Sequence, residues 1–274
     1  TVTRRDSCFK RIGENKVILT GDYHTHTPYS HGKNTVAENV ARAKEIGLKE
    51  IAISDHGFTH VAFGLRRRDM PHYIAECQEA QKQYGVRVLV GIEANICGLG
   101  GKSNLTEKDY EMFDVYNCGN HVFIFFSTFK DLIKYGLGNY FNNTFLKNPT
   151  KNQIRRNTTA YINAIKNNPI DTLTHLNYIC PSNALEVAKC AADYGTYIEL
   201  NSKKTHLTDE ELNEMVQKTS VRFVVNSDAH SAARIGDTKL VEEQLARINF
   251  PMDRIDNIDG RFPNYRFTAF KEKM

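Results

Sequence analysis

The residues of this chain whose types and spacing could do chemistry are histidines and carboxylates. His24 and His26 stand in HTH, His31 in PYSHG, His56 in SDHG, and Glu93 in GIEAN. His121 stands in CGNHVF, His175 in LTHLNY, and Asp228 with His230 in NSDAH. In an extended strand the side chains at i and i+2 share a face, so His24 and His26 can grip one cation together, and Asp228 with His230 repeats that geometry. Asp22 lies on the same face as an orienting carboxylate or a further ligand. Neutral imidazole and carboxylate suit Zn²⁺, Mn²⁺ or Fe²⁺, and with no cysteine in the motifs a closed structural zinc site is not expected. Nine candidate ligands are too many for one ion at three or four each, and enough for three if a carboxylate bridges. Adjacent cations on an open rim suit hydrolysis, because they acidify a water and neutralise a phosphoryl group in transfer.

The elements that must position these residues are legible as an alternation. Strand-like runs fall at 16–23, 49–54, 86–93, 114–118, 170–174, 196–200 and 221–226. Between them lie helix signals: capping boxes at Thr35 with Glu38 and at Thr208 with Glu211, stops at Gly47 and Gly85, Ser182 ahead of NALEVAKCAADY, and a last helix over 242–248. Strands alternating with helices imply a mostly parallel sheet with right-handed crossovers. About seven repeats point to a (β/α) barrel one unit short of eight, whose C-terminal rim would collect the histidines. A lone histidine at a strand end is ordinarily a hydrogen-bonded polar residue; six strand ends sharing ligand-type residues outweigh that explanation. One stretch, 125–166, breaks the rhythm; it is basic and Asn-rich and reads as one or two inserted helices, with Thr150 capping the second.

Composition sets the outer limits. The chain has 274 residues, 41% hydrophobic and 25% charged, which excludes a disordered or fibrous protein and allows one large domain, taken here as 1–274. No apolar run reaches the ~18 residues of a membrane span, and the N-terminus lacks the apolar core of a secretory signal. The six cysteines are scattered with no C-x-x-C pair, as in a reduced cytoplasmic protein; the sequons at Asn104, Asn142 and Asn157 are then without meaning. A net charge of +4 is too mild to announce nucleic acid.

The ordered set HTH, DHG, GIEAN, H, H and SDAH resembles the PHP (polymerase and histidinol phosphatase) family of metal-dependent phosphoesterases, over about residues 21–230. The resemblance implies an α/β fold, a distorted (β/α)7 TIM-like barrel, with a trinuclear Zn, Mn or Fe centre at the C-terminal rim of the strands. It implies that one metal takes His24, His26, Glu93 and Asp228, that a second shares Glu93 and takes His121 and His175, and that a third takes His31, His56 and His230. It also implies hydrolysis of a small phosphomonoester by a metal-activated hydroxide, with Asp22, His24, Glu93 and Asp228 as the catalytic core and histidinol phosphate as a named candidate. His31 stands where histidinol phosphatases of this type often carry an acid, which leans towards the small stand-alone phosphatases. A phosphodiesterase or exonuclease on the same metals, and an amidohydrolase-type barrel, are the alternatives; the latter leaves His31, His56 and His230 without a role.

Outside the ligand set, Arg66, Arg67 and Arg68 follow His56 and could grip a phosphate, since guanidinium forks match its oxygens; the competing reading is a solvated basic turn. Arg234, just after SDAH, carries the same two readings. Asn201 and Ser202 could contact substrate, although a turn ahead of a helix explains them as well, and Lys203 with Lys204 reads as a solvated pair. His60 and His206 could touch substrate or protonate a leaving group, against the ordinary expectation for loop histidines. The basic insert (Lys147, Lys151, Arg155, Arg156) lacks an aromatic stacking stripe for nucleic acid, so the expected partner is a small phosphorylated metabolite, and Tyr140, Phe141 and Phe145 are expected to pack a lid.

Overall fold

The computed structural model describes residues 16–146 and 149–274; Cys8 and Lys147 lie outside them. Seven parallel strands run in sequential order: β1 (Gly21–Thr25), β2 (Glu50–Ile53), β3 (Arg87–Asn95), β4 (Val115–Gly119), β5 (Thr172–Leu173), β6 (Tyr197–Asn201) and β7 (Phe223–Asn226). Between and after them lie α1 (Val36–Glu45), α2 (Met70–Tyr84), α3 (Phe129–Asp131), α4 (Gly138–Phe141), α5 (Lys151–Asn167), α6 (Ala184–Tyr194), α7 (Asp209–Lys218), α8 (Lys239–Ile248) and α9 (Arg266–Lys271). Alternation of strands and crossover helices curls the sheet into a nearly closed barrel, as the periodicity predicts.

The local signals act where expected. Thr35 and Thr208 each accept from the backbone N–H three residues on, while Glu38 and Glu211 reach back to the cap residue; caps of this kind contribute about 0.5–2 kcal/mol each. α2 ends at Gly85 in the left-handed conformation, φ +68°, which only glycine adopts without strain. The cap of α6 is Asn183 and not Ser182: the Asn183 side chain accepts from Glu186 N–H, and Ser182 is turned to Asn177.

The missing eighth unit is replaced at the bottom of the barrel by the C-terminal segment. Ile258 bridges Leu19 ahead of β1, and Ile255 bridges Phe223 of β7. Asn257 ties both sides, its side chain donating to Gly21 C=O (3.0 Å) and accepting from Val225 N–H (2.9 Å). Nearer the rim β1 and β7 meet directly, His26 N–H donating to Ala229 C=O (2.8 Å). Tyr265 then plugs the floor against Tyr23, ring centroids 5.3 Å apart and nearly perpendicular.

The irregular stretch resolves into two parts. Residues 129–146 form one helical run in which α3 and α4 alternate with π turns (Leu132–Leu137 and Asn142–Leu146). α5 is capped by Thr150 and packs beside α6 as the crossover between β4 and β5. Phe141 and Phe145 are exposed and stack on each other rather than packing inward. The described cysteines, Cys77, Cys97, Cys118, Cys180 and Cys190, are buried thiols. Asn104, Asn142 and Asn157 are buried too, which leaves no room for a glycan. No helix among the described residues is long and apolar enough to cross a membrane.

Candidate active site

Strand ends deliver the ligand-type residues to one place. β1 carries His24 and leads into His26, β3 carries Glu93, and His121, His175, Asp228 and His230 follow β4, β5 and β7. His56 reaches the rim through a parallel bridge to Glu93 that extends the pairing of β2 and β3. Glu93 is the hub. Its Oε1 lies 2.7 Å from His175 Nε2, 3.1 Å from His121 Nε2 and 3.2 Å from His24 Nε2. Its Oε2 lies 2.8 Å from His56 Nδ1 and 3.7 Å from His26 Nε2. Asp228 Oδ1 is 3.4 Å from His26 Nε2 and 3.3 Å from His230 Nδ1. Four overlapping groups have donor atoms close enough for one ion: His26, His56, His230; His24, His26, Asp228; His24, Glu93, His175; and His56, Glu93, His121. His31 stands at their edge, stacked on His56 with centroids 4.8 Å apart and 4.2 Å from the His230 ring.

The donor set fits divalent metal. His24 Nε2, His26 Nε2, His56 Nδ1, His121 Nε2 and Glu93 Oε2 are all buried and make no hydrogen bond, although several approach one another closely. Unpaired buried polar atoms are costly, and here they converge on one point, as lone pairs awaiting a cation would. The opposite ring nitrogens are fixed. His24 Nδ1 donates to Glu199 Oε1 (2.7 Å) and His121 Nδ1 to Asn95 Oδ1 (2.6 Å), which leaves each Nε2 facing the cluster as the atom that could bind metal. Asn95 is itself oriented by donating to Thr59 Oγ1.

Protonation follows the same logic. Burial pushes His26 well below its ordinary pKa, and pushes His121 down to about 3. Burial would raise Glu93, but His121, His24, His175 and His56 around it hold it well below the carboxylate range. Asp228 is likewise held low, against burial, by His24 and His26. His24 is raised well above its ordinary value and His175 is raised, in both cases against burial, by Glu93 and Glu199, so a metal bound at these rings would displace protons from them.

Two ligand-type residues sit on strained backbone: His175 at φ +32° and Asp228 at φ +48°, conformations that persist only where the surroundings enforce them. Gly119 makes room for one of them, because a Cβ there would meet His175 Cε1 at 2.7 Å.

Other expectations fare differently. Asp22 is buried and accepts from Ser227 Oγ (2.5 Å) and Gly236 N–H (3.0 Å); it orients the β7 loop and belongs to none of the four groups. Arg66, Arg67 and Arg68 do not reach the site. Arg67 is clamped by both oxygens of Asp109 and lies over Phe58, Arg68 pairs with Asp69, and Arg66 is exposed. Arg234 is likewise held elsewhere, by Ser202 C=O and Asp237. The cations at the site are lysines. Lys203, expected to be solvated, places Nζ 3.3 Å from Asp228 Oδ1 and 3.1 Å from His230 Nδ1, and Lys204 lines the same cavity. Sequence reasoning also missed Glu199. This buried carboxylate accepts from His24, from His175 N–H (2.7 Å), and from the side chains of Asn201 and Asn226.

Over the cluster opens a cavity of ≈ 490 Å³, whose further walls include His60, Phe63, Tyr178 and His206. His60 Nδ1 accepts Phe63 N–H (3.1 Å), so its Nε2 carries the proton and can only donate; burial lowers His60 and His206 to about 4.

The PHP domain model matches residues 22–203, more than half of the chain, and the chain belongs to that family. Curated relatives include a "Probable phosphatase" of Proteus mirabilis, 30% identical over 88% of this chain and 90% of the relative. Another from Caldanaerobacter subterraneus subsp. tengcongensis is 29% identical over 89% of each chain. Among solved structures, the histidinol phosphate phosphatase of Lactococcus lactis, complexed with zinc, L-histidinol and phosphate, superposes with a TM-score of 0.56. It covers 83% of this chain and 94% of its own at 15% identity, a likeness of fold.

Proposed function

We propose that this chain, as a single domain, is a metal-dependent phosphomonoesterase that releases phosphate from a small phosphorylated metabolite. The observation that carries the reading is Glu93: one buried carboxylate with five imidazoles within 2.7–3.7 Å, a bridging position for more than one ion. We assign His24, His26, Glu93 and Asp228 to one metal, Glu93, His121 and His175 to a second, and His31, His56 and His230 to a third. Bound there, Zn, Mn or Fe would lower the pKa of a water and neutralise charge on the phosphoryl group.

The chain's own residues do the rest. Glu199 and Asn95 hold His24 and His121 with their Nε2 atoms inward. Lys203, half-exposed beside Asp228, offers its ammonium to a phosphoryl oxygen. In the reaction a water oxygen bonds to phosphorus, the ester P–O bond breaks, and the alcohol leaves with a proton. His60 Nε2–H, fixed as a donor by the Phe63 N–H, is placed on the cavity wall to hydrogen-bond the departing oxygen. Histidinol phosphate is one candidate substrate, carried over from the Lactococcus enzyme; phosphodiesters are the nearest rivals.

His24→Ala and Asp228→Ala test the reading. Each is expected to lower kcat/KM by at least about 100-fold and to reduce bound metal, with the far-UV circular dichroism unchanged. Normal turnover in either variant would overturn the assignment.

A further inference from the structure

Beside the cavity over the cluster lies a second one, of ≈ 580 Å³, walled chiefly by Val61, Phe126, Leu132, Leu137, Tyr140 and Ile179. The two share His121, Val122 and Phe123, so a candidate metal ligand is wall to both. That partition is held in place by backbone: Val61 N–H donates to Phe123 C=O (2.8 Å) and Phe125 N–H to Thr59 C=O (2.9 Å). Phe123 sits at the junction with φ +58° and 74% of its surface exposed, a conformation rare for a bulky residue. The far wall is the helical run 129–146 that interrupts the βα alternation.

We propose that this chamber seats the alcohol part of the ester, so that the substrate is a phosphomonoester of an apolar alcohol or phenol, not of a sugar, nucleoside or amino alcohol. The proposal rests on the phosphatase reading and narrows it, setting histidinol phosphate aside. Among the described residues no charged side chain lines the chamber, and several of its polar ones are engaged with each other or with backbone, while Asn120 Nδ2 is a buried donor left without a partner. Tyr135 donates to Asn120 Oδ1 (2.6 Å), Asn139 bonds Asn157 in both directions, and Asn143 donates to Ile179 C=O (2.6 Å). An ammonium group entering here would lose its water without meeting a carboxylate, and a polyol would find few partners for its several hydroxyls. Among the described residues the carboxylates that line the neighbouring cavity are Glu93 and Asp228, surrounded by histidines and Lys203, so a cationic alcohol finds no free acid there either. An apolar group gains on entry in proportion to the surface it buries, and the volume falls in the range of small-molecule pockets, about 300–1,000 Å³.

The test is kcat/KM of the metal-loaded enzyme on methyl, butyl and hexyl phosphate, with calorimetric titration of 1-naphthol into the same protein. The expected result is a rise of about threefold per added methylene and saturable naphthol binding. Leu137→Asp, which charges the chamber wall, should flatten the series and weaken naphthol binding by more than about tenfold. Ile133→Asp, the same change at an exposed residue of the same helical run that does not line the chamber, should alter neither. A series that is flat in the wild type, or a Leu137→Asp variant that keeps the slope, would overturn the proposal. If no ester is hydrolysed while naphthol binds and Leu137→Asp abolishes the binding, the phosphatase reading fails and the chamber stands as an apolar-ligand site. Hydrolysis without naphthol binding retires the chamber alone.

Discussion

Glu199 shows how much of the site depends on a residue that stands in none of the sequence motifs. Its four hydrogen-bonding partners fix the His24 ring and the backbone at His175. Glu199→Gln removes the charge and turns an amide towards groups that all donate. The expected outcome is a 10- to 100-fold fall in metal affinity or kcat/KM with the fold retained; unchanged affinity and activity would show that His24 needs no such support. The nine candidate ligands were legible because their types recur at strand ends. Glu199 had a weaker signal, a lone carboxylate in the strand YIELN facing away from Ile198 and Leu200, with nothing nearby to say what it meets. The arginines misled for the converse reason: the Asp109 that holds Arg67 lies 42 residues away, a pairing that only the folded chain creates. Lys203 reads as one of two surface lysines until the β6 and β7 ends are brought side by side.

At the scale of elements, Asp171 links three of them. It stands at the entry to β5 and accepts from Tyr116 N–H of β4 (2.9 Å) and Phe267 N–H of α9 (2.8 Å). Burial pushes its carboxyl up to about 7, against those two bonds. An acid raised in the folded state contributes stability that is complete below its unfolded pKa, near 3.8, and is lost as pH rises towards 7. Asp171→Asn, with one acceptor for two N–H groups, should be less stable than wild type, and its deficit should shrink between pH 5 and pH 8. The narrowing is on the order of 2–4 kcal/mol, read by denaturant unfolding at each pH; a constant deficit would mean that Asp171 is ionised throughout. Capping boxes at Thr35 and Thr208 were legible because a cap is settled within four residues. β5 was not: a five-residue run was expected and two residues pair, since the chain leaves the sheet at once through positive φ at His175, Asn177 and Ile179. The π turns of 129–146 likewise carry no sequence period that distinguishes them from an α-helix.

For the molecule as a whole, the count of seven strands and the sharing of one rim followed from the alternation, whereas the closure did not. Residues 255–258 fill the place of an eighth strand by pairing with both ends of the barrel, a contact across more than 200 residues that local patterning cannot foretell. The cavity beside the cluster was equally hidden, because its walls come from the β2 and β4 loops, the 129–146 run and the segment after β5. We propose that this rim holds catalytic metal acting on phosphate esters. The measurement that tests it most directly is phosphate release from a panel of monoesters, histidinol phosphate and alkyl phosphates included, with Mn²⁺ or Zn²⁺ supplied and a chelator-treated control. The account predicts release that stops on chelation and returns when metal is restored. Release indifferent to chelation, or none from any ester by protein shown to carry metal, would contradict it.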